Sequence, residues 1–141
     1  VNSLSGSKSS YKSTTFNVDV IVFPCYDADN SYPENQHFVW SYHIVIKNHN
    51  EHPIQLMSRY WRIIDDQAQI NEVMGEGVVG RQPEIPPQGE YEYCSEAHLK
   101  TPSGFMHGTY HMVNMTTSET FSVDIPEFSL DSPYLLCTSI H

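Results

Sequence analysis

Six residues, Gly75-Glu76-Gly77-Val78-Val79-Gly80, match the pattern G-x-G-x-x-G. That pattern holds a dinucleotide pyrophosphate when its glycines join a strand to a helix whose first N–H groups face the phosphates. Here Arg81-Gln82-Pro83-Glu84-Ile85-Pro86-Pro87-Gln88-Gly89 follows. Three prolines and a glycine cannot continue a helix. The glycines therefore predict a turn or bulge between strands, with at least one at positive φ. An exposed backbone nest can also hold an anion without a helix. Gly75, Gly77 and Gly80 form that candidate anion site, with Arg59 or Arg81 as counter-charge. Arg59 and Arg62 have opposite strand parity, so at most one of them shares a face with the glycines.

Other reactive types are sparse in pattern. Glu72, Glu76 and Glu84 surround the loop and are the candidates for a hard cation, which takes oxygen ligands. Solvated acidic residues are the plainer reading, so no metal site is assigned. His107 and His111 project from one face of a strand, but four residues span roughly 13 Å, too far for one ion. Cys94 and His98 are also four apart, which favours strand packing over a thiolate pair. Ser103 lies in Pro102-Ser103-Gly104, a turn signal and not a nucleophile elbow. No catalytic residue and no cofactor is assigned.

These side chains need strands to position them. Phe16, Val18, Val20 and Val22 alternate, as do Phe38, Trp40, Tyr42, Ile44 and Ile46. Period-2 alternation predicts half-buried strands. Ile54 to Ile64, Ala68 to Met74, Tyr91 to Cys94, Met106 to Met115 and Phe121 to Ile125 complete the set, with Pro126 ending the last. No segment holds a helical apolar period over three turns. Seven or eight short strands predict an all-β fold, an immunoglobulin or fibronectin type III-like antiparallel β-sandwich, with a closed barrel as the alternative. Trp40, Tyr42, Ile44, Leu56, Val123 and Ile125 are expected in its core. Residues 1–14, rich in Ser and Lys, read as a flexible N-terminal arm. Residues 15–131 form the sandwich domain and 132–141 a C-terminal tail.

Charge narrows the partners. Lys plus Arg number 7 against 17 for Asp plus Glu, a formal net charge of −10. That argues against a general nucleic-acid binder, which must displace counterions with basic residues. It argues equally against an anionic membrane surface. Cys25, Cys94 and Cys137 are scattered and form no C-x-x-C, which predicts reduced thiols and a cytoplasmic location. Tyr60, Trp61, Phe105, Tyr110 and Phe128 are mostly core; any left exposed near the loop would suit protein contact. Edge strands favour pairing with a second copy, a homodimer.

From Phe38 to Leu130 the chain resembles the ApaG family. The resemblance rests on Arg59-Tyr60-Trp61-Arg62-Ile63-Ile64-Asp65, on Gly75 to Gly80 with Gln82-Pro83, and on Tyr91-Glu92-Tyr93. Thr101-Pro102-Ser103-Gly104-Phe105-Met106-His107-Gly108-Thr109-Tyr110 and Phe121-Ser122-Val123-Asp124-Ile125-Pro126-Glu127-Phe128-Ser129-Leu130 complete it. It implies a fibronectin type III-like sandwich of the free-standing bacterial form and an association with cobalt and magnesium resistance. It supplies no reaction. Tyr60 stands where members often carry His, and Ser95 to Lys100 is more polar than usual.

The expected function is a non-enzymatic binding module acting through a protein partner or a small anionic ligand. The alternative is a nucleotide- or pyrophosphate-binding protein, a hydrolase included, using the Gly75–Gly80 loop with a metal on Glu76. A third class is a direct divalent-metal carrier.

Overall fold

The computed structural model describes residues 10–134. They form nine strands and two short 3-10 turns: β1 (Tyr11–Thr15), β2 (Val18–Tyr26), β3 (Phe38–Asn48), β4 (Ile54–Asp65), β5 (Ile70–Glu76), β6 (Glu84–Ile85), β7 (Glu90–Leu99), β8 (Gly104–Asn114) and β9 (Thr120–Leu130). One sheet runs β1-β2-β3-β7 and the other β5-β4-β8-β9, with β6 added to β4. Every pairing is antiparallel. No helix among these residues is long and apolar enough to cross a membrane.

The two sheets face each other across one apolar core. Alternation along β3 turns Phe38, Trp40, Tyr42, Ile44 and Ile46 inward, and all five are buried. Val18, Val20 and Val22 extend that layer from β2. Leu56, Val123 and Ile125 meet them from the opposite sheet, as the sequence requires. Tyr42 touches the rings of both Trp61 and Phe128, with centroids 5.5 and 5.8 Å apart, so the layers interlock through aromatic contacts. The sheets do not close into a barrel.

Three expectations need correction. Tyr11 to Thr14, read as part of an arm, belong to β1 and pair with β2. Polar Lys12, Ser13 and Thr14 hid that strand, because an edge strand needs little apolar surface. Phe16 was expected on the apolar face of a strand. It instead forms the β1–β2 turn with Asn17, at φ 48° and 61°. Two successive positive φ values define the twist-matched two-residue hairpin turn. Pro126 does not end β9. The register shifts there from Gly108↔Ile125 to Met106↔Phe128, so two residues oppose one. A bulge on an edge strand absorbs the missing proline N–H. Residues 1–9 and 135–141, which hold most of the expected arm and tail, lie outside the described residues.

Candidate functional site

The site begins with an irregularity in β4. Leu56 pairs with Met112, but Ser58 pairs with His111, so Met57 is an extra residue. A one-residue bulge reverses which side chains face inward. Before it Ile54 and Leu56 are buried; after it Trp61 is buried, and Tyr60 falls on the outer face. Arg59 shares the parity of Trp61 and is thereby carried to the inner side, opposite the buried Tyr110. Arg62 goes to the outer face, so only one of these two arginines joins the glycines.

The bulge and the glycine segment hold each other. The Met57 carbonyl accepts the Gly77 N–H and the Gln82 side-chain amide, both at 2.9 Å. Gly75 pairs with Arg59 across β4 and β5. A Cβ on Gly75 would lie 2.8 Å from Arg59 Nη1, so a larger residue there would push the guanidinium from its present place. From there Arg59 Nη1 donates to the carbonyls of Gly77 at 2.8 Å and Glu76 at 3.2 Å.

Past Gly77 (φ 64°), the chain reverses over Val78-Val79-Gly80-Arg81. Val78 and Arg81 exchange both backbone hydrogen bonds, while Val79 and Gly80 sit at φ 48° and 76°. A β-branched residue in the left-handed region is a rare and strained choice. Gly75 and Glu76 belong to β5, and Gly77 and Val78 are buried. Only Val79 to Arg81 form the exposed tip of a tight turn with glycine at positive φ, followed by the extended Pro83–Ile85 stretch on β4. The amides of Gly77, Val78 and Arg81 are all spent on protein carbonyls.

Arg59 faces a cleft of about 420 Å³ between β7 and this turn. Tyr42, Trp61, Tyr93, Ser95, His98 and Val79 help to line it. Behind it the Tyr93 and Tyr110 hydroxyls are hydrogen-bonded to each other in the buried interior. Burial raises the phenols of Tyr42, Tyr93 and Tyr110 above the ordinary tyrosine value, and the nearby Arg59 charge opposes that rise. Among the described residues no carboxylate pairs with Arg59. A half-buried guanidinium with no acid in ion-pair contact suits a small anion, with the Glu96 carboxylate on the same lining as a competing charge.

The remaining candidates disperse. Arg81 is exposed and does not line the cleft. Glu72 accepts a hydrogen bond from Tyr60 on the outer face, which raises that phenol. Glu76 stands four residues further along the same strand, and Glu84 pairs with Gln55. Among the described residues no group of three or more His, Cys, Asp or Glu side chains is placed to hold a metal ion. Trp61, Tyr110 and Phe128 are core, whereas Phe105 is half-buried.

Cys25 and Cys94 are free thiols, and Cys137 lies outside the described residues. Cys94 does not meet His98, which contacts Glu96 and His37. It meets His43, its direct partner across β3 and β7. Sequence reasoning missed this pair, because nothing local relates residues 51 positions apart.

Comparison with known proteins agrees with this architecture. Residues 28–114 match the model of the ApaG domain, more than half of the chain. The chain is 48% identical over 128 residues to the protein ApaG of Sinorhizobium fredii, covering 91% of this chain and 98% of that relative. It is 45% identical to the Agrobacterium fabrum protein ApaG, over 89% and 96%. Among solved structures, one assigned as the ApaA protein of Bordetella pertussis superposes with a TM-score of 0.80 at 41% identity, covering 85% and 97%. By sequence, domain match and fold together, this chain belongs to the ApaG family.

Proposed function

We propose that this ApaG-family chain is a non-enzymatic, cytoplasmic binding module that holds a small anion on Arg59. The observation that carries the reading is the guanidinium itself. It is turned inward by the Met57 bulge, opens to the cleft, and has no acid partner among the described residues. Such a cation gains most from an anion that it can grip with two parallel N–H donors. Ser95 and the Tyr42 hydroxyl, hydrogen-bonded to each other, lie along the cleft. In this reading the glycines shape the turn and make room for Arg59; they do not cradle phosphate, since the amides of Gly77, Val78 and Arg81 are already bonded. The link to cobalt and magnesium resistance implied by the family runs through the bound anion or a partner, because Glu72, Glu76 and Glu84 do not converge. A protein partner, a second copy included, would have the outer edge of β7 to pair with.

Thermal unfolding with inorganic phosphate, pyrophosphate and nucleotides tests this. A ligand at a hundredfold excess over its Kd stabilises by about 2.7 kcal/mol. Pyrophosphate or phosphate should stabilise the parent and leave Arg59→Gln unchanged, with no phosphate released. No stabilisation of the parent, or equal stabilisation of Arg59→Gln, would refute the anion site. The second reading, a nucleotide site on the glycine loop, requires nucleotide to outperform pyrophosphate and Arg81→Gln to weaken it.

A further inference from the structure

The outer face of the β1-β2-β3-β7 sheet carries a second constellation, centred on Cys94 at the rim of the Arg59 cleft. Cys94 Sγ lies 3.1 Å from His43 Nδ1. The other ring nitrogen, His43 Nε2, lies 2.8 Å from Glu92 Oε1. The three residues come from adjacent strands, and Cys94 and Glu92 stand two apart on β7, so they share its outer face. The Phe23 ring backs the imidazole, with centroids 6.0 Å apart.

The order of atoms matters. An ionised Glu92 can only accept, so it fixes the proton of a neutral His43 on Nε2. Nδ1 then presents a lone pair to the thiol. That is the relation of nucleophile, base and orienting acid. Solvent reaches the group: Cys94 is exposed, and the His43 and Glu92 side chains are 37% and 50% accessible. Cys25 is exposed too, but among the described residues its Sγ has only the Tyr26 carbonyl at 3.7 Å. Among the described residues two exposed thiols thus differ in having a base.

We propose that Cys94 is a nucleophilic exchange thiol, primed by His43 and oriented through Glu92, that takes a small-molecule disulfide. His43 Nδ1 receives the thiol proton. The thiolate attacks one sulfur of the disulfide R–S–S–R. A new S–S bond forms between Cys94 and that sulfur as the original S–S bond breaks. The departing R–S⁻ takes the proton from the imidazolium and leaves as R–SH. Cys94 is oxidised and one half of the reagent is reduced, so no further oxidant enters. The face also selects the reagent. Glu90, Glu92 and Glu96 lie on the same side of β7 as Cys94, which favours a cationic disulfide over an anionic one.

The test uses the full chain at neutral pH with cystamine, a cationic disulfide, and oxidised glutathione, an anionic one. Peptide mapping by mass spectrometry follows mixed-disulfide formation at Cys94 and at Cys25 in the same native protein. Cys94 should react at least about tenfold faster than Cys25, and faster with cystamine than with oxidised glutathione at low salt. In a protein carrying Cys25→Ser and Cys137→Ser, His43→Gln should lower the Cys94 rate by at least about tenfold, and Glu92→Gln by a smaller factor. Equal rates at Cys94 and Cys25 in the native protein would overturn the proposal without any variant. So would a Cys94 rate unaltered by His43→Gln in a variant whose melting temperature matches its parent. A faster reaction with oxidised glutathione would refute the charge selection.

Discussion

Where β1 runs beside β9, side chains join the two sheets; where β7 faces the turn after β5, a cleft stays open. On the joined side Ser13 donates to the Asp124 carbonyl at 2.7 Å, and Thr15 Oγ1 accepts the Asp124 N–H at 3.1 Å. The Tyr11 ring lies against Phe128, and Asp19 gathers Thr14, His49 and Lys12 at 2.6, 2.9 and 3.6 Å. The Asp124 N–H and C=O at that edge thus have partners within the chain, which blunts it there against other strands. On the open side the corresponding space holds Arg59, the aromatic hydroxyls and a strained turn. The contrast teaches that one β-sandwich can spend its polar side chains on closure at one edge and on recognition at the other. Sites that recognise ligands commonly keep strained or incompletely paired groups.

The strongest way to break this comparison is to remove the turn that frames the cleft. In Gly77→Ala the new Cβ would meet the Arg81 carbonyl oxygen at 2.0 Å, at a φ of 64°. A loss of about 3 kcal/mol is expected in urea unfolding, since neither the backbone nor the turn can yield cheaply. Gly80→Ala has the same sign of φ but open space around it, and should cost only about 1 kcal/mol. Equal losses at the two positions would show that φ alone matters and that the close approach of the Arg81 carbonyl does not.

Asp19→Asn probes the joined edge. Hydrogen bonding from Thr14, with smaller help from His49 and Lys12, holds the Asp19 carboxyl below the ordinary aspartate value, although burial opposes this. A carboxyl lowered on folding contributes stability that is present above its unfolded value, near pH 4, and lost as pH falls through the folded value. Asp19→Asn should therefore cost about 1.5 kcal/mol at neutral pH, since bonds to a charged acceptor are the stronger kind. Parent and variant should converge below roughly pH 4. A constant gap from neutral to acid would assign the loss to packing.

Thr15→Val removes the acceptor of the Asp124 N–H without changing shape. It should cost about 1 kcal/mol or less, because the bond is exposed. The sharper reading is local: amide exchange at Asp124 should accelerate while β3 amides stay protected. Unchanged exchange at Asp124 would mean that the edge is closed by packing and not by these bonds.

Val79→Asn should have the smallest effect and the opposite sign. Asn tolerates the left-handed region and, before Gly80, is the preferred pair for this turn. A gain of about 0.5 kcal/mol in stability is expected. If Val79 at the cleft wall also shapes recognition, the same variant should weaken anion binding. A destabilised variant would remove the argument for strain at this turn.

Sequence alone determined the sandwich. Trp40, Tyr42 and Ile44 on β3 and Val123 and Ile125 on β9 are buried because side-chain alternation is a local, period-2 property of any extended chain. It also determined that the chain turns within the glycine segment instead of entering a helix, although Gly75 and Glu76 belong to β5 and only Gly77 to Arg81 make the turn. Tertiary structure decided the rest. Alternation counted from Leu56 puts Arg59 on the outside, and only the Met57 bulge, set by pairing with β8, brings it in. The β1 strand lacks an apolar face and exists because β2 and β9 offer it partners. His43 meets Cys94 only because β3 and β7 share a register that neither strand encodes by itself. Register is a property of two strands together, and so the residues able to do chemistry could be named from the sequence while their partners could not.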